Sequence, residues 1–162
     1  DGSRADPDKA NARLSEWEID MSAGAGGIKR RYLDDITGEF PRFDERFAGL
    51  EHTQGYYAAS SVRDGGFGFD SVVQHDFSKD RRNLFQLGGG DRTGEPIFVP
   101  RATDAAEGDG YLISVIYRAE ENRSDLAFFD AQNVESGPLA TAGRPHKVPY
   151  VFHGNWKSND QD

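Results

Sequence analysis

Glycine, proline and aspartate cut this chain into short apolar or aromatic runs, and no long amphipathic helix can be drawn through it. Residues 13–21 alternate apolar and polar, with Leu14, Trp17, Ile19 and Met21 as the apolar points and one slip between Leu14 and Trp17. Gly24-Ala25-Gly26-Gly27 reads as a turn, after which Ile28 to Leu33 returns. Further strands are expected at 55–62, 71–77, 82–87, 96–101, 110–119, 125–131 and 148–153, with one helical turn at 44–48. Nineteen glycines beside 11 Phe, 6 Tyr and 2 Trp fit the same reading, an all-β fold of antiparallel hairpins with many turns.

A weak repeat runs through these hairpins. Trp17-Glu18-Ile19-Asp20, Val73-Gln74-His75-Asp76 and Phe128-Phe129-Asp130 each end a strand on an aspartate, at separations of 56 and 54 residues. Repetition near 50 residues in an all-β chain suggests successive β-propeller blades. Aspartate is also an ordinary turn residue, capping nearby amides. Three such units do not close a ring, which needs at least about four blades. Either the repeat has no structural meaning or the chain is part of a larger propeller.

Composition excludes several functions. A net charge of −9 argues against nucleic acid and gives no electrostatic reason to bind anionic lipid. No apolar stretch approaches the roughly 20 residues of a membrane-spanning helix. With no cysteine there is neither a disulfide framework nor thiolate chemistry, which fits a reducing compartment and an expected cytoplasmic location. Gly88 to Gly94 lacks the Gly-Lys-Ser/Thr ending of a phosphate loop, and Gly24 to Gly27 opens no helix. Asn122-Arg123-Ser124 is a formal glycosylation triplet without other signs of secretion, and Glu107-Gly108-Asp109 reads as a solvated turn. Residues 1–11 read as a linker or disordered segment and 158–162 as a tail. The chain has no initiator methionine and no signal peptide, so it is expected to begin inside a longer polypeptide.

The chemistry-bearing candidates are one histidine and two glutamates. His153 follows the apolar run Val148-Pro149-Tyr150-Val151-Phe152 and precedes Gly154, which leaves room for a bulky group. Phe152 and Trp156 would keep its surroundings dry. Such a histidine is either a packed, hydrogen-bonded core residue or a metal ligand. Glu39, in Gly38-Glu39-Phe40-Pro41-Arg42, and Glu95, in Gly94-Glu95-Pro96-Ile97-Phe98, each follow glycine, as exposed turn residues do. Each also opens an apolar, proline-marked segment, as a buried strand start does. Buried, they would need a partner, and a ligating imidazole is one such partner. His52 falls in a polar loop, His75 is expected in a surface turn, and His146 lies between Pro145 and Lys147. None of these forms a compact ligand spacing.

Six segments in order resemble the C-terminal part of the carotenoid cleavage oxygenase family, which includes the lignostilbene dioxygenases. They are 39–47 (Glu-Phe-Pro-Arg-Phe-Asp-Glu-Arg-Phe), 55–58 (Gly-Tyr-Tyr-Ala), 94–101, 107–115, 125–131 and 148–156, within a stretch of 12–157. The resemblance implies the last three or so blades of a seven-bladed propeller. It also implies an iron(II) ion held on the axis by four histidines that glutamates orient. It maps one iron ligand onto His153 and two orienting glutamates onto Glu39 and Glu95, the other three ligands preceding this chain. The activity it implies is oxidative cleavage of a C=C bond in a carotenoid, apocarotenoid or stilbene-like substrate, with O2 as co-substrate and two carbonyl products. An ester-cleaving, isomerohydrolase-like member of the family, or a stand-alone β-rich binding module without metal, are the alternatives. With one of four ligands, the isolated chain is expected to be inactive and to need the N-terminal remainder of its polypeptide.

Overall fold

Antiparallel pairing organises every sheet of the described chain. The computed structural model describes residues 12–61, 68–144, 146–149 and 153–158, which form eleven strands, three 3-10 turns and no α-helix. The segments 1–11 and 159–162, expected as linker and tail, lie outside the described residues, as do 150–152.

Strands β1 (Ser15–Ile19) and β2 (Ile28–Tyr32) form a two-stranded ribbon. Period-two alternation sorts its side chains by chemistry. Glu16 and Glu18 pair with Arg31 and Lys29 on one face. Trp17, Ile19, Ile28 and Tyr32 stand on the other, mostly exposed, with the Arg30 guanidinium over both aromatic rings.

Strands β3 (Thr37–Arg42), β4 (Gln54–Ser60), β5 (Ser71–Asp76) and β6 (Arg81–Gln86) make a four-stranded sheet in chain order. A second sheet follows, of β7 (Arg92–Thr93), β8 (Ile97–Pro100), β9 (Gly110–Arg118), β10 (Arg123–Asp130) and β11 (Pro138–Arg144). Both β7 and β8 pair with the same edge of β9, so together they form one split edge strand and the sheet is four strands wide.

The main core lies between these two sheets. Tyr56 and Val72 of the first meet Phe98, Leu112, Ile116 and Phe129 of the second. Tyr56 stacks on Phe98 at 5.6 Å, and Phe85 meets Phe129 at 5.7 Å. In β9 the buried positions are Gly110, Leu112, Ser114 and Ile116, the alternation of a strand with one face inward. Strand β5 is buried along its whole length because Tyr57, Ala59 and Val73 pack on the opposite face against Leu14, Ile36 and Leu84.

The three hairpin aspartates share one task. Asp20, Asp76 and Asp130 each accept the backbone N–H two residues on, from Ser22, Ser78 and Gln132. Asp76 also accepts from the Lys79 ammonium at 2.7 Å and the Ser78 hydroxyl at 2.6 Å. The repeat therefore marks turn chemistry at equivalent hairpins.

Several expectations are corrected. His75 is in β5 and 3% exposed, not in a surface turn, because Asp76 and not His75 begins the turn. Its Nδ1 faces Asp34 at 3.4 Å and its Nε2 faces Asp80 at 3.7 Å. Glu107 lies in the expected turn but is half-buried and not merely solvated: its carboxylate accepts from the Thr53 and Gln54 amides and the Thr53 hydroxyl, pinning the start of β4. Val148, Pro149 and His153 are not in a strand. Strands β3, β7 and β11 went unread: a bulge breaks the first, the second has two residues, and the third (Pro-Leu-Ala-Thr-Ala-Gly-Arg) is an exposed edge of weak strand formers.

Hydrogen bonds from Lys79 and Ser78 hold the Asp76 carboxyl well below the usual range for aspartate. A depressed folded-state pKa contributes stability above the unfolded value of about 4 that is lost as pH falls below it. Asp76→Asn should cost about 2 kcal/mol near neutrality. In urea denaturation, the variant should also lose less stability than the wild type between about pH 5 and about pH 2.

Candidate metal centre

Glu95 occupies the break between β7 and β8. Thr93 pairs with Ile116 and Ile97 with Ile113, so four steps along one strand face three along the other, a one-residue bulge. The break turns the Glu95 side chain inward, where it is 5% exposed. A buried carboxylate requires donors, and the C-terminal segment supplies them. Glu95 Oε2 accepts the Gly154 N–H at 2.9 Å, and Oε1 lies 3.2 Å from His153 Nδ1. Arg42 Nη1 is 3.2 Å from the same Oε1. Arg42 also donates to the Gly154 carbonyl at 3.2 Å and to Asn155 Oδ1 at 3.0 Å, and pairs with Glu45.

Phe40 holds the other side of the imidazole. Its ring meets that of His153 edge to face at 5.7 Å and that of Phe69 at 5.6 Å. Phe40 has φ +59°, a left-handed conformation that costs a residue with a side chain about 1–2 kcal/mol. It sits in the bulge of β3, where Glu39 pairs with Ala58 but Arg42 pairs with Tyr56. A Cβ on Gly154 would stand 2.7 Å from Ile97 Cδ1, so a larger residue there requires the end of the Ile97 side chain to move.

His153, Glu39 and Phe40 line one open depression of about 590 Å³, together with Leu14, Trp17 and Tyr57. The structure thus joins His153 to Glu95 directly and brings Glu39 to the same depression. The Glu39 carboxylate is exposed, contrary to the expected burial, and has no hydrogen bond among the described residues. The bulge that exposes it also explains why the proline-marked run does not bury its first residue. Among the described residues the dry site expected around His153 is not formed, since its side chain is 73% exposed. Trp156 is 55% exposed and lines a different depression, beside Arg42 and Phe98; Phe152 lies outside the described residues. His52 stacks on Phe43 at 4.7 Å, and His146 is exposed.

With Nδ1 donating to a carboxylate, a neutral imidazole carries its lone pair on Nε2, the usual arrangement of a metal-ligating histidine. The chemistry of this donor set fits one ligand position of a metal ion. Among the described residues no group of three or more His, Cys, Asp or Glu side chains could hold a metal ion.

Two four-strand-wide antiparallel sheets stacked face to face, beside a two-stranded ribbon, define an all-β partial β-propeller in which a carboxylate at an edge strand's bulge braces a histidine of an irregular segment. The chain belongs to the retinal pigment epithelial membrane protein (RPE65) family, the carotenoid cleavage oxygenases, which it matches over residues 1–158. It is 37% identical to an isoeugenol monooxygenase of Pseudomonas putida over 96% of this chain and 34% of that protein. It is 31% identical to lignostilbene-alpha,beta-dioxygenase isozyme III of Sphingomonas paucimobilis, again over 96% of this chain and 34% of that protein. Among solved structures, a cobalt-substituted apocarotenoid oxygenase of Synechocystis superposes with a TM-score of 0.82 at 30% identity, covering 90% of this chain and 30% of that one. The chain therefore spans about a third of the length of the curated relatives it matches.

One further signal was present in the sequence. Thr37-Gly38-Glu39 recurs as Thr93-Gly94-Glu95, 56 residues on, the same interval as between the first two hairpin aspartates. Both triplets end at a one-residue bulge in the first edge strand of a sheet. Matching these triplets would have assigned β3 and β7 as strands.

The two glutamates should respond differently to substitution. Glu95→Ala leaves the Gly154 N–H and His153 Nδ1 without their acceptor and Arg42 without its buried counter-charge, and should lower stability by about 2 kcal/mol in urea denaturation. Glu39→Gln should change it by no more than about 0.5 kcal/mol.

Proposed function

We propose that the full polypeptide carrying this chain is an iron(II)-dependent oxygenase that cleaves a conjugated C=C bond to two carbonyl groups, with both atoms of O2 entering the products. The observation that carries this reading is the Glu95–His153 pair, in which a buried carboxylate holds Nδ1 of an imidazole that lines the open depression. The chemistry an iron(II) ion would supply here is dioxygen activation.

This chain's own residues do the holding. Nε2 of His153 serves as one ligand, Glu95 fixes its tautomer and ring orientation, and Phe40 blocks rotation from the other side. Glu39 serves as an orienting carboxylate for a ligand contributed by another part of the polypeptide, which its exposure in the same depression supports. Leu14, Trp17, Phe40 and Tyr57 offer an aromatic wall suited to a planar, conjugated substrate. Identities of 37% and 38% to isoeugenol monooxygenases, against 31% to a lignostilbene dioxygenase and 29% to an apocarotenoid oxygenase, favour an aryl-substituted alkene over a long polyene. The absence of cysteine supports a reducing, cytoplasmic setting. Among the described residues no helix is long and apolar enough to cross a membrane.

The test uses the full polypeptide, loaded with iron(II) and given isoeugenol, a hydroxystilbene and an apocarotenal under 18O2. Aldehyde formation from an aryl alkene, with label in the products, is the expected result. His153→Ala should abolish turnover and stoichiometric iron binding. The 162-residue chain alone should show neither. Turnover by His153→Ala at the wild-type rate would overturn the reading.

A further inference from the structure

Arg42 has no role in the reading above, yet it touches Glu95, Gly154 and Asn155 around His153. It comes from β3 in the first sheet. It reaches Glu95 in the second sheet and the irregular segment 153–155, which belongs to neither. Its side chain is 17% exposed, and its charge stands against the buried Glu95 carboxylate. One guanidinium nitrogen serves both Glu95 Oε1 and the Gly154 carbonyl, each at 3.2 Å; the other serves Asn155 Oδ1 and Glu45.

The contacts form a closed loop. Glu95 grips the Gly154 N–H and His153 Nδ1, while Arg42 grips the carbonyl of the same Gly154 and the carboxylate that grips its amide. A segment without strand pairing is thereby fixed through both the N–H and the carbonyl of one residue. The planar fork is essential, since a lysine ammonium offers a point charge and cannot span these acceptors in the same geometry. Arg118, between Asp91 and Asp125, by contrast joins residues of one sheet and its adjoining loop and does not line the depression.

The geometry points to Arg42 as a positioning residue for the metal ligand: it sets the orientation of His153 through Glu95 and Gly154, across the joint between two blades. This inference rests on the reading of His153 as a ligand. Residues that orient a ligand typically govern metal affinity by 10–100-fold, so metal binding, separate from turnover, reports the role.

The experiment uses the full polypeptide freed of iron and titrated with Co(II), following the visible absorption of the bound ion. Arg42→Met should weaken Co(II) binding about tenfold or more and alter the band intensities, while Arg42→Lys should restore less than half of the loss on a logarithmic scale. Arg101→Met, which removes an exposed guanidinium paired with Asp109, serves as the control and should leave binding unchanged. Wild-type affinity and spectrum in Arg42→Met would overturn the inference while leaving His153 a ligand, provided His153→Ala loses Co(II). Wild-type binding by His153→Ala would overturn both. Should Arg42→Met fail to fold, Arg42→Lys carries the test alone: a loss of at least about threefold is expected, and wild-type affinity overturns the inference.

Discussion

A carboxylate taken out of water needs donors from somewhere, and that requirement organises the functional end of this structure. Glu95 is buried because the edge strand it belongs to breaks at Gly94-Glu95-Pro96. Its donors come from a segment that has no sheet to join. The His153–Asn155 stretch is placed by satisfying Glu95 and Arg42, not by a hydrogen-bond ladder of its own. An exposed imidazole in an unpaired segment would otherwise adopt many rotamers. Here one nitrogen is fixed and the ring edge rests against Phe40, so the free nitrogen has a defined direction before any ion arrives.

The fold was legible where the physics is local. Alternating runs such as Gly110 to Arg118 identified their strands because one face meets a single core. The turn at Glu45–Phe47 followed from the Asp44 side chain, which accepts the Arg46 amide. What stayed hidden depended on partners distant in sequence. His75 beside Asp76 looks like turn material, and only its packing between two faces of the first sheet shows that it is interior. Glu107 looks solvated until Thr53 and Gln54 arrive from another strand. Strand β11 has little sequence signal of its own because it lies at an outer edge and buries almost nothing.

The candidate site divides in the same way. Residue types and neighbours drew attention to His153, Glu39 and Glu95, and family resemblance linked them. Neither could distinguish the two glutamates, which share a Thr-Gly-Glu context and a bulge. Their surroundings distinguish them: Glu95 faces a segment that can donate to it, whereas Glu39 faces an open depression. Arg42 was invisible as a functional residue because its importance lies in three partners, none of them a neighbour in sequence.

The extra residue in β3 has a consequence for which way the chain points. Side chains on a strand alternate faces, and paired residues share one. Because Arg42 pairs with Tyr56, it shares the face that packs toward the second sheet. Run the same residues as a regular strand from the Glu39–Ala58 pair and the parity inverts: Arg42 would face Gly55, on the side of Tyr57 and away from Glu95. The irregularity thus works as a phase shifter, and a strand of ideal regularity would have pointed its cation at the wrong neighbour.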